Sequence, residues 1–418
     1  MDFTSLPHGA FTLANVTLPA CLLGQEGDLI RADIGIDGGR IAAPGGVAVD
    51  MRGAMVLPCF TDMHTHLDKG HIWPRAANPD GSFVGALTTV RADHANWSAE
   101  DLRARMEFSL RCAYAHGTKQ IRTHLDSVNG QYALSWPLLA ELREAWAGRI
   151  DLQGASLISC ESHGSEEYPE IARTVARHGG ALGMVTYPVP DLKDRLLGHM
   201  ATAADHGLEL DFHTDETMDA TSETLRMIAE TVLETGFDRR VIVGHCCSLS
   251  TQEDSRALDT LDMVAKAGLH VVSLPMCNLY LQDRNGGTPR RRGVTLVHEM
   301  KARGIPVSFA SDNTRDPFYA YGDMDMLEVL REATRIAHLD HSDLDWITGF
   351  TTTPESSCGF APTSLAPGAP ADLVIFRARS WTELLSRPQS DRIVMRAGEA
   401  IPRVLPDYSD LDHLWSAQ

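Results

Sequence analysis

Short apolar runs alternate with longer amphipathic stretches through the central part of the chain, from about residue 56 to residue 345. The short runs have the length and the Val, Ile and Leu content of buried strands, and the longer stretches repeat apolar positions with helical spacing. Ala99–His116 and Gln252–Ala267 are two of the predicted helices. The eight predicted strands are Met55–Phe60, Gln120–Thr123, Leu152–Ile158, Leu182–Val185, Leu208–Phe212, Val241–Val243, Leu269–Leu274 and Val307–Ala310.

Eight strands that alternate with helices predict an α/β protein built on a (β/α)8 TIM barrel, because each parallel strand needs a crossover helix before the next one. A doubly wound parallel sheet is the alternative, but no G-x-G-x-x-G motif follows the first strand. We expect the barrel to occupy residues 56–359.

The two ends of the chain have a different pattern, with short alternating strands and tight turns. Ala32–Ile36 alternates and is followed by a turn at Asp37–Gly39, and Ala371–Phe376 and Arg392–Arg396 are strands near the other end. The pattern predicts one small β-sandwich domain formed by both chain ends, residues 1–55 and 360–418.

Composition and charge exclude several classes of function. The 418 residues are 43% hydrophobic and carry a net charge of −19, which supports a large core and argues against a nucleic-acid partner. No run of 18 apolar residues is present, so we expect no membrane association. The eight cysteines are scattered without a C-x-x-C pair, which is typical of a reduced cytoplasmic protein. The sequence does not determine the oligomeric state, and a homo-oligomer is possible.

Polar residues suited to metal or proton chemistry follow five of the predicted strands. In a TIM barrel the carboxyl ends of all strands meet at one mouth, where active sites lie. We therefore expect these side chains to converge. They are His64 and His66 after the first strand, His124 after the second, His213 and Glu216 after the fifth, His245 after the sixth and Asp312 after the eighth.

The spacing of His64 and His66 has a geometric reason. Residues i and i+2 of a strand point to the same face, so both rings can offer a nitrogen to one ion. With His213 and Asp312 they make a set of three imidazoles and one carboxylate, which leaves a coordination position open for water. The alternative is that these are independent core histidines.

Several motifs resemble those of the amidohydrolase superfamily, and most of all its cytosine deaminase branch. They are LPCFTDMHTHLD at Leu57–Asp68, FHTDE at Phe212–Glu216, Gly244–His245, TPRRRG at Thr288–Gly293, ASDNTRDPF at Ala310–Phe318 and PGAPADLVI at Pro367–Ile375. The resemblance implies one divalent ion, Zn²⁺ or Fe²⁺, held by His64, His66, His213 and Asp312. Binuclear members of the superfamily carry a bridging Lys after strand four, and Gly183–Pro188 contains none.

The resemblance also implies roles in hydrolysis. A bound divalent ion lowers the pKa of water from about 15.7 toward 7. His245 is expected to orient that water, Asp312 to accept its proton, and Glu216 to act as general acid and base on a ring nitrogen. The alternatives are that Glu216 is a helix-start carboxylate, and that Asp215 is the acid.

The expected substrate contacts depart from the cytosine deaminase pattern. Asn313 stands where that pattern has a second aspartate, Ser159 where it has a glutamine and Phe318 where it has a tryptophan. His124 is either a substrate contact or a structural residue. The prediction is a deaminase of a small heterocyclic substrate, with cytosine or a related aminopyrimidine as the default. An ammelide-like N-substituted aminotriazine is the nearest alternative. A cyclic amide hydrolase and a non-catalytic binding barrel are more distant alternatives.

Overall fold

The computed structural model describes residues 5–415, so residues 1–4 and 416–418 of the predicted end segments lie outside the described residues. The strands are β1 Phe11–Pro19, β2 Leu29–Asp37, β3 Arg40–Ala42, β4 Val47–Asp50, β5 Met55–Pro58, β6 Phe60–Thr65, β7 Thr118–Asp126, β8 Asp151–Leu157, β9 Leu182–Thr186, β10 Leu210–Thr214, β11 Val241–His245, β12 His270–Ser273, β13 Val307–Phe309, β14 Leu373–Phe376, β15 Ile393–Arg396 and β16 Glu399–Ala400.

Twelve α-helices lie within the described range, and none is long and apolar enough to cross a membrane. They are α1 Phe83–Asp93, α2 Ala99–His116, α3 Tyr132–Ala145, α4 Tyr168–Arg177, α5 Leu192–His206, α6 Thr224–Thr235, α7 Asp254–Lys266, α8 Pro275–Leu281, α9 Val297–Lys301, α10 Met326–Ala337, α11 Thr352–Cys358 and α12 Trp381–Ser386. The predicted bounds of α2 match the structure.

Eight parallel strands, β6 to β13, carry the carboxyl-end residues singled out above. They pair in sequence order as a three-stranded sheet, β6-β7-β8, and a five-stranded sheet, β9 to β13. Isolated bridges link the two sheets at both edges: Ala155 pairs with Ala181 and Ser159 with Val185, while Thr65 pairs with Asp312. At least one helix separates each strand from the next, which confirms an α/β fold with parallel strands.

The remaining eight strands come from the two ends of the chain and form a single composite sheet. Its order is β16-β15-β14-β5-β1-β2-β3, with β4 paired to β1. The sheet has an apolar cluster of its own, separate from the main core. Its members include Phe11, Leu13, Ile34, Ile36, Val56, Leu373 and Ile375.

The first predicted strand, Met55–Phe60, is two strands in the structure. Met55–Pro58 belongs to the composite sheet, where it pairs with β14, and Phe60–Thr65 begins the parallel set. The change of sheet occurs at Cys59, whose N–H donates to Asp372 O at 3.0 Å, while the Phe60 N–H donates to Gly117 O at 3.0 Å. The apolar run is continuous because both strands are fully buried, so hydrophobicity alone does not mark the break.

Helix α2 lies between the parallel strands β6 and β7 along the chain, and its C-terminal end packs against the composite sheet. The Ser98 side chain caps its first turn by accepting the Asp101 N–H at 3.1 Å. The helix ends at Gly117, where φ is +100° and an added Cβ would lie 2.5 Å from the Val374 side chain of the composite sheet. Only glycine fits this left-handed, closely packed position.

A buried ion pair forms a second connection. The Arg392 guanidinium, just before β15, donates to both carboxylate oxygens of Asp325 at 2.7 Å, and Asp325 caps α10 through the Leu327 N–H at 3.0 Å. The Arg392 side chain is 1% exposed and that of Asp325 is 13% exposed. The composite sheet is therefore fixed to the helix that follows strand β13.

Candidate functional site

The histidines and the aspartate predicted from the sequence as metal ligands converge at the carboxyl ends of the parallel strands. His64 lies on β6, His66 directly after it, and His213 on β10, while Asp312 follows β13. All four side chains are buried. The Thr65–Asp312 bridge and the Asp312 N–H, which donates to His64 O at 2.9 Å, place the loop after β13 against β6.

Four short separations link the ligand atoms of these residues. His64 Nε2 lies 3.0 Å from His213 Nε2, which lies 3.3 Å from His66 Nε2. Asp312 Oδ1 is 3.6 Å from His64 Nε2 and 3.2 Å from His66 Nε2. A metal–nitrogen bond of ~2.1 Å puts neighbouring ligand atoms of a tetrahedral site ~3.3 Å apart, so these separations fit one ion.

The protonation states of this cluster also fit a cation. Burial, reinforced by the neighbouring imidazoles, lowers the pKa of His64 and His213 well below the usual value, so the rings are neutral as metal binding requires. Burial raises the pKa of Asp312 to about 7, and both of its oxygens lack a hydrogen-bond partner among the described residues. A cation would satisfy these orphaned oxygens and favour the charged carboxylate.

Glu216 and His245 lie beside this cluster and are held by a third side chain. Glu216 Oε1 is 3.4 Å from His245 Nδ1, and the Glu216 side chain is 12% exposed. Asn278, on α8, directs its Nδ2 to His245 Nδ1 at 3.0 Å and to Glu216 Oε1 at 3.4 Å. Burial and the negative charge of Asp312 raise the pKa of Glu216 well above its usual value, so Glu216 can carry a proton at neutral pH.

The neighbouring carboxylate of Asp215 is instead hydrogen-bonded to the start of helix α6. Its Oδ1 accepts hydrogen bonds from the Ser222 hydroxyl at 2.7 Å and the Thr224 N–H at 2.9 Å, and Oδ2 accepts the Leu225 N–H at 2.9 Å. These contacts tie Asp215 to the first turn of α6. Of the two neighbouring carboxylates, only Glu216 reaches His245 and Asn278.

Two residues of the site have left-handed backbone conformations, which are uncommon outside glycine. His245 has φ of +70° and Asp312 has φ of +64°. Such conformations cost on the order of 1–3 kcal/mol and persist where surrounding contacts hold them. Here each one turns the chain sharply at the end of its strand, so that the side chain reaches the shared cluster.

Asn313 is held in one orientation by Asp316. Its Nδ2 donates to Asp316 Oδ2 at 2.7 Å, while its Oδ1 accepts from the Cys277 thiol at 3.6 Å. Asp316 Oδ1 accepts the Phe318 N–H at 2.8 Å and the Tyr319 N–H at 3.1 Å, which fixes the turn that carries both groups. With one N–H engaged by Asp316, the Asn313 amide is fixed in orientation and keeps its second N–H and an oxygen lone pair for a ligand.

The other expected substrate contacts are placed differently. The Ser159 hydroxyl bonds to the Ser162 hydroxyl at 2.9 Å in a local turn. Phe318 is half-buried and packs edge-on against Phe83, with ring centroids 5.5 Å apart. His124 is fully buried among the metal-site candidates, 4.1 Å from His64 between ring centroids, and its Nε2 lies 3.1 Å from Asp211 Oδ1.

Sequence reasoning missed three side chains that shape the site: Asn278, Asp316 and Lys69. Buried Lys69, three residues after His66, pairs with Asp126 at 2.6 Å, and Asp126 and Asp68 raise its pKa against the effect of burial. Two sequence features could have pointed to them: Lys69 closely follows the H-x-H pair, and Asn278 closely follows the seventh predicted strand. The lysine that follows strand β9, Lys193, does not take part in the cluster, because it lies on α5 and pairs with Glu234 of α6.

The fold and the cluster together define a class. Parallel strands whose carboxyl ends bring together three buried imidazoles and a carboxylate, beside a glutamate whose pKa is raised, are typical of a metal-dependent hydrolase.

Comparisons with known proteins identify the family. A sequence model of the amidohydrolase family matches residues 166–401. A pterin deaminase from Rhizobium rhizogenes is 52% identical over 430 residues, which cover 98% of this chain and 98% of the relative. The chain belongs to the amidohydrolase family.

Two solved structures have a similar fold. A 5-methylcytosine deaminase from Klebsiella pneumoniae, liganded with 5-fluorocytosine, is 25% identical with a TM-score of 0.79, covering 94% of this chain and 97% of that one. N-isopropylammelide isopropylaminohydrolase from Burkholderia multivorans is 25% identical with a TM-score of 0.73, covering 94% and 98%. These similarities support the class that the sequence predicted, a metal-dependent deaminase of nitrogen heterocycles.

Proposed function

We propose that this chain is a hydrolytic pterin deaminase. The observation that carries the proposal is the 52% identity to a pterin deaminase along 98% of both chains. A pterin is a 2-amino-4-oxopteridine, whose one exocyclic amine sits on a ring amidine carbon. Hydrolysis forms a C–O bond at that carbon and breaks the exocyclic C–N bond, with release of ammonia.

His64, His66, His213 and Asp312 are proposed to hold one divalent ion, zinc or iron. Such an ion, when bound, makes hydroxide available at neutral pH by lowering the pKa of water. Imidazole and carboxylate ligands accept either metal. Asp312 can accept a proton from the attacking water because one of its oxygens is not needed as a ligand.

Glu216 is proposed to be the general acid and base. Its raised pKa lets it hold a proton, deliver that proton to the ring nitrogen beside the attacked carbon, and then recover a proton from the newly added hydroxyl group, while the proton held by Asp312 goes to the leaving amine. Its partial exposure, 12% of the side chain, is compatible with access to substrate. His245 is proposed to orient the attacking oxygen and to stabilise the charge that develops on it.

Asn313 is proposed as a contact to the pyrimidine part of the substrate. Asp316 fixes the orientation of the Asn313 amide, and the Asn313 oxygen can accept a hydrogen bond from the lactam N–H of a pterin. Phe318, packed on Phe83, offers an apolar face beside this contact. Ser159 and His124 remain predicted substrate contacts. The hydroxyl bond of Ser159 and the full burial of His124 favour positioning roles for both.

An aminopyrimidine such as cytosine is the second candidate substrate. The observation in its favour is the structural similarity to the 5-methylcytosine deaminase over 94% of the chain. The pterin proposal has priority because the identity to the pterin deaminase is about twice as high over a comparable length.

We also propose a closed (β/α)8 barrel at residues 56–359 and a β-sandwich formed by residues 1–55 and 360–418. The bridges at both edges of the parallel strands support closure of the barrel. The separate apolar cluster supports the sandwich, because two layers of the sheet packed face to face would bury such a cluster between them. Residues 56–58 are an exception to these bounds, since they pair within the composite sheet.

We also propose a cytoplasmic location and a homo-oligomeric state. All eight cysteines are free thiols, seven of them buried, which supports a reducing compartment.

The test is a substrate panel on the purified, metal-quantified protein. Ammonia release is measured with pterin, cytosine and an N-substituted aminotriazine, and kcat/KM for pterin is expected to exceed the others by at least about tenfold. A preference for cytosine would favour the second candidate. Absence of turnover on every member of the panel by fully metallated protein would contradict the proposal.

A further inference from the structure

Asn278 lies where the two proton-handling side chains of the site meet. It belongs to α8, which directly follows the seventh parallel strand, and it is 1% exposed. Its Nδ2 is 3.0 Å from His245 Nδ1 and 3.4 Å from Glu216 Oε1. One amide group therefore contacts both residues, and neither contact is made through solvent.

A neutral imidazole carries one proton, so the partner of one ring nitrogen determines the state of the other. His245 is 1% exposed, and burial favours the neutral form of its ring. If Asn278 donates an N–H to Nδ1, then Nδ1 is an acceptor and the proton sits on Nε2.

The surroundings of His245 favour that arrangement. Nε2 is buried without a hydrogen-bond partner in the described structure, and a ring nitrogen of His245 lies within 4.8 Å of ligand atoms of His64 and Asp312. An N–H directed to the Asp312 carboxylate is favourable, whereas a lone pair there is repelled, and the Nδ1 lone pair can face Glu216 Oε1 at 3.4 Å when Glu216 carries a proton. The two N–H groups of the amide also match the two acceptors that face it.

We propose that Asn278 is a positioning residue that fixes His245 as the Nε2–H tautomer and holds Glu216 in the same contact. His245 then acts as a hydrogen-bond donor to the attacking oxygen rather than as a base. Proton transfer is left to Glu216 and Asp312. The inference deepens the proposed deaminase function and rests on it for its kinetic consequences, but not for the tautomer itself.

The opposite network is the alternative that the test must exclude. With the amide rotated, Asn278 Oδ1 would accept from His245 Nδ1–H and from protonated Glu216. His245 Nε2 would then be an acceptor, and His245 would be suited to act as a base. The two networks assign the His245 proton to different nitrogens, so they are distinguishable spectroscopically.

The experiment uses zinc-loaded protein labelled with ¹⁵N-histidine. The His245 resonances are assigned by their loss in His245→Gln. In the wild type we expect an unprotonated Nδ1 and a protonated Nε2. In Asn278→Asp we expect the reverse, because the new carboxylate is an acceptor and requires an N–H donor at Nδ1. Finding the proton on Nδ1 in the wild type, or an unchanged tautomer in Asn278→Asp, would overturn the proposal.

Kinetics supply the second measurement. Asn278→Asp should lower kcat by about 10²-fold, since it removes the donor at Nε2, with KM changed by less than about threefold. Tyr280→Phe, on the same helix, is the matched control and should keep wild-type kcat. Asn278→Ala removes the positioning amide without imposing the reversed tautomer. Its kcat should therefore lie between that of Asn278→Asp and that of the wild type.

The two proposals can fail independently. If the wild type deaminates no member of the panel but the tautomer reverses in Asn278→Asp, the proposed function fails and the assignment of Asn278 holds. If the wild type is active while kcat and tautomer are unchanged in Asn278→Asp, the assignment fails and the function holds.

Discussion

The amide nitrogen of Asn313 donates to Asp316 Oδ2 at 2.7 Å, and this bond fixes the orientation of the Asn313 amide. An asparagine free to rotate can exchange its donor and acceptor ends, whereas an asparagine held in this way keeps its oxygen and its second N–H in fixed positions. We expect Asp316 to affect substrate recognition through this orientation.

Asp316→Ala should therefore impair substrate recognition through Asn313. Release of the amide costs about 1–3 kcal/mol of bound-state interaction, so kcat/KM for the substrate should fall about tenfold to a hundredfold. Asn313→Ala should lose a similar amount, and the double variant little more, because the two residues act as one unit. Steady-state kinetics of the three variants check this, and simply additive losses would contradict it.

His66→Ala should lose the metal. Its Nε2 lies 3.2 Å from Asp312 Oδ1 and 3.3 Å from His213 Nε2, so its removal opens the ligand set. Elemental analysis after dialysis against a weak chelator should find one ion per chain in the wild type and close to none in the variant. His199→Gln is the control, because buried His199 bonds to Tyr168 at 2.9 Å and should leave the metal content intact.

Glu216→Gln should abolish turnover while the metal content stays the same. The variant keeps the shape of the side chain and loses its proton transfer, so kcat is expected to fall by about 10²–10⁴-fold. Glu223→Gln, on an exposed carboxylate paired with Arg256, should have wild-type activity. Retained activity in Glu216→Gln would mean that another group is the acid.

Asp325→Asn should destabilise the fold in a pH-dependent way. The Arg392 guanidinium holds the pKa of Asp325 below its usual value. The stabilisation is therefore present above the unfolded pKa of about 3.9 and is lost as the pH falls below it. At pH 7 the variant should be less stable by about 3 kcal/mol, and the difference should shrink below about pH 4.

Urea unfolding across this pH range measures the difference. Asp391→Asn, which removes an exposed pair with Arg377, is the control and should cost less than about 1 kcal/mol. A loss for Asp325→Asn that stays the same from pH 7 to well below pH 4 would contradict the electrostatic explanation.

The residues predicted to be metal ligands were identifiable from the sequence because each stands at the carboxyl end of a predicted strand. His64, His66, His213 and Asp312 needed only the strand order to be brought together. Asn278 and Asp316 act through side-chain orientation, which no spacing rule encodes. The division of Met55–Phe60 was equally hidden, because a buried strand in either sheet has the same apolar pattern.

The composite sheet has a consequence for the order in which the chain can fold. In β5, Leu57 pairs with Val374 of β14, more than three hundred residues later, and the parallel strands lie between them. During synthesis β5 must therefore wait, without this neighbour, until nearly the whole chain has left the ribosome. The parallel strands are complete before the sheet at their side can close, so a truncation that removes β14 leaves one side of β5 exposed as an edge prone to aggregation.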